Sequence, residues 1–137
     1  MRCLLIDIEG TVVPRETWKI SRSAFRWLGE AKKSGIKICL ISNSVRVKRV
    51  EELSSELDLP FVPLAFKPLP FSFIRAMKML GGSRSDTAVI GDQLFMDILG
   101  GNLLGLHTIM VPSITPEKKL GRRFMRWLEG FFFTPER

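Results

Sequence analysis

Two acids two positions apart, Asp7 and Glu9, belong to the stretch Asp7-Ile8-Glu9-Gly10-Thr11, which follows directly on the apolar run Cys3-Leu4-Leu5-Ile6. Residues i and i+2 of an extended chain point the same way, so both carboxylates should leave the end of a buried strand together. Gly10 permits a sharp turn whose N–H groups can face an anion. These residue types suit phosphoryl transfer, with Asp7 attacking phosphorus and Glu9 handling protons. A phosphate monoester is a dianion, and a carboxylate reaches it only where positive charge compensates. Lys67 would supply one such charge. Asp7, the backbone carbonyl of Glu9, and Asp92 offer hard oxygens for Mg²⁺, which usually takes one or two carboxylates and keeps several waters. Ser42, the N–H groups after it and those of the Gly10-Thr11 turn are candidate ligands for the phosphate oxygens. Asp97, one helical turn into the segment after Asp92, is placed to hold Lys67 or a metal-bound water.

Those residues need a scaffold that brings them together, and the hydrophobic pattern provides one. After the first strand, Ala24, Trp27, Leu28 and Ala31 recur at helical spacing, with Ser21 as N-cap and Gly35 as stop. The run Ile36–Ile41 reads as a second strand, and Val50, Leu53 and Leu57 mark a second helix. A third strand is expected over Phe61–Phe66, at an edge because Pro63 cannot donate to a ladder. Pro70 opens a helix that Gly81-Gly82 ends; a strand over Thr87–Ile90, a helix over about Leu94–Leu103 and a strand over Leu106–Val111 follow. Strands alternating with helices predict an α/β fold. The expected form is a Rossmann-like three-layer α/β/α sandwich on a mostly parallel five-stranded sheet. Ligands in such sheets bind beyond the carboxyl ends of the strands. Asp7, Ser42, Lys67 and Asp92 each follow a strand, at intervals of 35, 25 and 25 residues.

The chain has 137 residues, 45% of them apolar, which allows one domain with a core and not two of ordinary size. It carries 21 basic and 14 acidic side chains, a net charge of +7, so anionic partners are favoured. Cys3 and Cys39 both lie in apolar runs without metal-type spacing, as buried reduced thiols would. The first apolar run is too short for a signal peptide, and no stretch approaches a membrane span. A cytoplasmic protein is expected, peripheral at most to the inner face of the membrane.

The ordered motifs resemble those of the haloacid dehalogenase (HAD) superfamily of aspartyl-phosphate phosphatases: Asp7-x-Glu9-Gly10-Thr11, Ile41-Ser42-Asn43, Lys67-Pro68, and Gly91-Asp92-Gln93 through Asp97. Phe66-Lys67-Pro68-Leu69-Pro70, Val89-Ile90-Gly91-Asp92-Gln93-Leu94 and Asp97-Ile98-Leu99-Gly100-Gly101-Asn102 are similar more narrowly to the small YqeG-type subclass IIIA phosphatases, over about residues 2–128. The resemblance implies Asp7 as covalent nucleophile and Glu9 as acid/base. It also implies Mg²⁺ at Asp7, Glu9 and Asp92, and phosphate contacts from Thr11, Ser42, Asn43 and Lys67, with Asp97 in support. Glu9 departs from the usual Asp, although enolase-phosphatases of the same superfamily carry Glu there. The connections after the first motif and between Ser42 and Lys67 leave no room for a cap domain. An uncapped site admits water and large substrates.

The last predicted element is a helix at about 117–133. It places Lys119, Arg122, Arg123 and Arg126 toward one side, with Leu120, Phe124, Trp127, Leu128 and Phe131 toward the other. Such a helix suits either docking on the sheet or an anionic membrane interface. YqeG-type proteins are similar to eukaryotic phosphatases of phosphatidylglycerophosphate, which makes that lipid the substrate implied by resemblance. A small metabolite, a nucleotide or a nucleic-acid end remains an alternative substrate, and a non-catalytic phosphate or RNA-binding module an alternative function. Arg15, Lys19, Arg46, Lys48 and Arg49 are expected near the mouth of the site.

Overall fold

The computed structural model describes residues 1–114. The helix expected at about 117–133 lies outside the described residues. Five parallel strands, β1 (Cys3–Asp7), β2 (Lys37–Ile41), β3 (Phe61–Val62), β4 (Thr87–Gly91) and β5 (His107–Met110), form one sheet in the order β3-β2-β1-β4-β5. Between them run α1 (Arg22–Lys33), α2 (Val47–Leu57), α3 (Pro70–Leu80) and α4 (Leu99–Leu103), the last entered through a π-helical turn at Leu94–Ile98. The expected α/β architecture is present. No cap domain interrupts the described chain.

Strand alternation sorts the core into two layers. Leu4 and Ile6 of β1 pack with Leu28 and Ala31 of α1 and with Val50, Leu53 and Leu57 of α2. Cys3 and Leu5 face the other way, onto Phe73, Ala76, Met77 and Leu80 of α3. Burying a Leu, Val or Phe side chain contributes roughly 1.5–3 kcal/mol, so these layers carry the fold. Local signals agree with them. The Ser21 hydroxyl caps α1 by accepting from the Ala24 N–H at 3.1 Å, Pro70 occupies the first turn of α3, and Gly81 ends α3 in the left-handed conformation. Both cysteines are buried and unpaired, and burial pushes the Cys39 thiol up to about 12.

One strand is shorter than its sequence suggests. β3 covers only Phe61–Val62 rather than Phe61–Phe66, although it does lie at the sheet edge. Pro63 has no N–H for the ladder, and Leu64 and Phe66 take positive φ, so the chain leaves the sheet plane there. A single bond from the Ala65 N–H to the Ser42 carbonyl, 2.9 Å, ties this departing loop to the end of β2. That exit carries Lys67 over the carboxyl end of the sheet.

Candidate active site

Strand register brings the motif residues into one row. Asp7 pairs with Ile41 and Ile6 with Ile90, so Ser42 and Asp92 emerge from the strands on either side of Asp7 at the same height. Asp7 shares the parity of Cys3 and Leu5, which sends its side chain to the α3 side of the sheet. The loop after β3 delivers Lys67 to that side. The Lys67 Nζ lies 2.7 Å from Asp7 Oδ1 and 2.6 Å from Asp97 Oδ1, and all three side chains are buried.

Burial alone would push the Lys67 ammonium down; Asp7 and Asp97 outweigh it and hold the group above the ordinary lysine range. Lys67 is therefore a fixed positive charge at working pH. Burial raises Asp97 to about 6, against the pull of Lys67. Asp92 is raised to about 7, first by burial and then by the neighbouring Asp7. The turn around these acids requires glycine at two positions. Gly10 has φ +83°, and a methyl there would run into the Asp92 carboxylate; a methyl on Gly91 would run into that of Asp97. The Asp97 Oδ2 also accepts the Gln93 N–H at 3.2 Å, which locks the π-helical turn onto the site.

The N–H groups of the Gly10-Thr11 turn, the Thr11 hydroxyl and the Asn43 side-chain amide all have partners within the protein. The Gly10 N–H donates to the Val13 carbonyl at 2.8 Å and the Thr11 N–H to the Ile8 carbonyl at 3.2 Å, so this turn spends its N–H groups closing itself. The Thr11 hydroxyl donates to Asp7 Oδ2 at 3.0 Å, with Asp92 Oδ1 3.4 Å away, and so orients the acid rather than opening toward an anion. Asn43 accepts the Lys67 N–H on Oδ1 at 2.8 Å and donates from Nδ2 to the Lys67 carbonyl at 3.3 Å. Its amide clamps the backbone of the lysine loop. Ser42 accepts the Ser44 N–H at 3.0 Å and keeps its own O–H to donate.

Arg15 is the residue whose role the sequence understated. Its guanidinium lies 3.5 Å from Glu9 Oε2 and 3.6 Å from Asp92 Oδ2, bridging the two acids. Sequence placed it only near the mouth, among five basic residues. The signal was the Gly10 turn: Glu9 and Val13 come together as a bridge, and Arg15 follows two residues later. Asp7, Glu9, Arg15, Ser42, Asn43 and Lys67 all line a cavity of about 50 Å³. That is room for one small group, since a water occupies about 30 Å³. His107, by contrast, is exposed at the far edge strand.

Asp7, Asp92 and Asp97 each offer an oxygen within 4.8 Å of the others, a buried set of hard donors. Both Asp97 oxygens are engaged, by Lys67 and the Gln93 N–H, and both Asp7 oxygens by Lys67 and the Thr11 hydroxyl, so a cation entering among these acids would replace part of that network. The donor set fits Mg²⁺, which takes oxygen ligands and few carboxylates.

A parallel sheet in this order, with an aspartate, a lysine and further acids at its carboxyl end, defines a HAD-type hydrolase fold. The HAD-hydrolase-like family model matches residues 65–120. The chain is 35% identical over 126 residues to the probable phosphatase YqeG of Bacillus subtilis, covering 92% of this chain and 73% of that protein. Among solved structures, the HAD phosphatase from Thermococcus onnurineus superposes with a TM-score of 0.72 at 14% identity, over 88% of this chain and 90% of that one. The D,D-heptose 1,7-bisphosphate phosphatase from B. bronchiseptica, complexed with magnesium and phosphate, has a TM-score of 0.67 at 12% identity, over 93% and 87%. The chain belongs to the HAD-like hydrolases, with YqeG as a relative along most of its length, and its enzyme class is that of hydrolases acting on phosphate esters.

Proposed function

We propose that this protein is a magnesium-dependent phosphomonoesterase that works through an aspartyl-phosphate on Asp7. The observation that carries the reading is the buried Asp7–Lys67–Asp97 chain, 2.7 and 2.6 Å, set beside Asp92 and facing the same cavity as Glu9. A carboxylate oxygen of Asp7 attacks phosphorus, and the bond from phosphorus to the ester oxygen breaks. Glu9 gives its proton to the departing alkoxide. A water then attacks the acyl phosphate, losing a proton to Glu9, and phosphate leaves with Asp7 restored. Lys67 and the Ser42 hydroxyl neutralise and orient the phosphoryl oxygens, Thr11 and Asp97 keep Asp7 and Lys67 in place, and Asn43 fixes the loop that carries the lysine. Mg²⁺, held by Asp7, Asp92 and the Glu9 backbone carbonyl, would supply the remaining positive charge opposite the substrate dianion. The magnesium and phosphate complex of the heptose bisphosphate phosphatase supports that cofactor.

For substrate, we favour a phosphate on a large or membrane-borne molecule, such as phosphatidylglycerophosphate. The loops that deliver Ser42 and Lys67 expose Val45 (82%) and Phe66 (67%), and the first turn of α3 exposes Phe71 (74%), apolar side chains beside an uncapped site on a basic chain. No helix among the described residues is long and apolar enough to cross a membrane. The test measures phosphate release from the lipid in vesicles and from a soluble aryl phosphate, with and without Mg²⁺. The wild type should release phosphate from both and form a hydroxylamine-labile phosphoenzyme, and Asp7→Asn should do neither. Release by Asp7→Asn at the wild-type rate refutes the mechanism. Hydrolysis of the aryl phosphate without the lipid refutes only the substrate.

A further inference from the structure

One half of one helix layer is missing among the described residues. α1 and α2 pack beside β2 and β3 on one face of the sheet, and α3 and α4 cover the other face from β2 across to β5. On the α1 face, β4 and β5 have no helix over them. Register places Ile90 beside Ile109 on that face, and Ile109 is 39% exposed. The result is an almost wholly apolar groove of about 420 Å³, floored by Ile90 and Ile109, walled by Ala24 and Trp27 of α1, and rimmed by Val111 and Ile114. It shares no lining residue with the catalytic cavity, although Thr11, whose hydroxyl donates to Asp7, also lines the groove.

The chain itself indicates what fills it. The last described residue, Ile114, lines the groove and is fixed there by its N–H, which donates to the Gly10 carbonyl at 3.0 Å. Residues 115–137 follow Ile114 directly in the sequence. They contain Leu120, Phe124, Trp127, Leu128 and Phe131, spaced 4, 3, 1 and 3 apart, which is one stripe of an α-helix. A helix over 118–133 would run about 24 Å, enough to cross a four-residue strand and its exit at about 3.3 Å per residue.

We propose that residues 118–133 form the helix that occupies this groove, seating their apolar stripe on Ile90, Ile109, Ala24 and Trp27. The stripe is then withdrawn from any bilayer. Lys119, Arg122, Arg123 and Arg126, on the opposite side of the helix, are what the segment offers to an anionic surface. This inference stands whether or not the proposed reaction is correct.

Hydrogen exchange read by mass spectrometry on the full chain, lipid-free and monomeric by sedimentation, tests it. Amides of 118–133 should exchange at least about tenfold more slowly than in an unfolded chain. Ala24→Glu puts a charge into the groove on a helix-compatible residue, and Leu128→Asp alters only the segment. Each should abolish that protection while α3 keeps its own. Protection that appears only with anionic vesicles would make the bilayer the occupant and overturn the proposal. Protection confined to concentrations where a dimer sediments would give the groove to a second copy and overturn it equally. Protection that survives both substitutions would place the segment elsewhere.

Discussion

Replacing Lys67 with methionine removes one charge while keeping most of the side chain's length. In the native site the ammonium bridges Asp7 and Asp97 at 2.7 and 2.6 Å with 6% exposure, and a third carboxylate, Asp92, stands within 4.8 Å of both. Removing one member of a buried ion pair leaves uncompensated charge, a loss of about 3–5 kcal/mol. For a chain of this length that corresponds to roughly 10–20 °C in Tm. The loss should depend on pH in a definite direction. Asp97 already sits at about 6, raised by burial against the pull of Lys67, and without the lysine that pull is gone, so its carboxyl rises further. A carboxyl whose folded pKa exceeds its unfolded value stabilises the fold while protonated, and that contribution is lost as pH rises through the folded pKa. The deficit of Lys67→Met, measured by thermal melts in chelator, should be largest near pH 8 and shrink toward pH 5. Adding Asp97→Asn should recover a large part of it at pH 8, a coupling that a double-mutant cycle reads directly. Equal deficits at both pH values, or a melting point within about 2 °C of wild type at pH 8, would refute the charge argument.

Further outcomes follow from the same geometry. Glu9→Gln should slow hydrolysis of an alkyl phosphate by about 10²–10⁴-fold, while a good aryl leaving group, which needs no proton, still phosphorylates Asp7 and leaves the intermediate to accumulate; turnover near wild type would remove Glu9 from the reaction. Arg15 lies 3.6 Å from Asp92 Oδ2 and competes with a cation for it. Arg15→Gln should therefore tighten Mg²⁺ binding about three- to tenfold by calorimetry, in keeping with a pair worth about 1 kcal/mol, and unchanged or weaker binding counts against that competition. Because Asp92 is raised to about 7, Mg²⁺ must displace a proton below that pH. Affinity should fall by about tenfold per pH unit below 7 and level off above it; a flat profile would mean that Asp92 does not hold the ion.

How much of this was legible before folding depended on how far each feature is set by topology. Asp7, Ser42, Lys67 and Asp92 could be grouped from sequence because each ends or follows a strand, and a parallel sheet puts all such ends on one side. What those groups bond to is decided by loops, whose hydrogen bonds have no period to read. Thus the N–H groups of Gly10 and Thr11 turned inward to Val13 and Ile8, and the Asn43 amide went to the backbone of Lys67. The length of β3 was misjudged for a similar reason. Apolar composition continues to Phe66, but the ladder stops where Pro63 withdraws its donor. The groove beside β5 could not be read at all, since an apolar residue on an edge strand looks the same whether a helix covers it or not.

The charges at the carboxyl end explain why such a site needs both its cations and something more. Asp7, Glu9, Asp92 and Asp97 face Lys67 and Arg15, so full ionisation leaves two negative charges in a small, largely buried space. Burial first, and the neighbouring Asp7 after it, raises both Asp92 and Asp97. A divalent ion would supply the missing charge without consuming the carboxylates as acids. A phosphate-monoester substrate would bring a further dianion; the Lys67 side chain, between the buried Asp7 and Asp97, is 3% exposed, whereas the Arg15 side chain, between Glu9 and the buried Asp92, is 16% exposed. The distribution of burial thus assigns the two cations different tasks. In the proposed reaction Lys67 would be the fixed charge beside Asp7, and Arg15 the charge that exchanges partners as metal and phosphate enter.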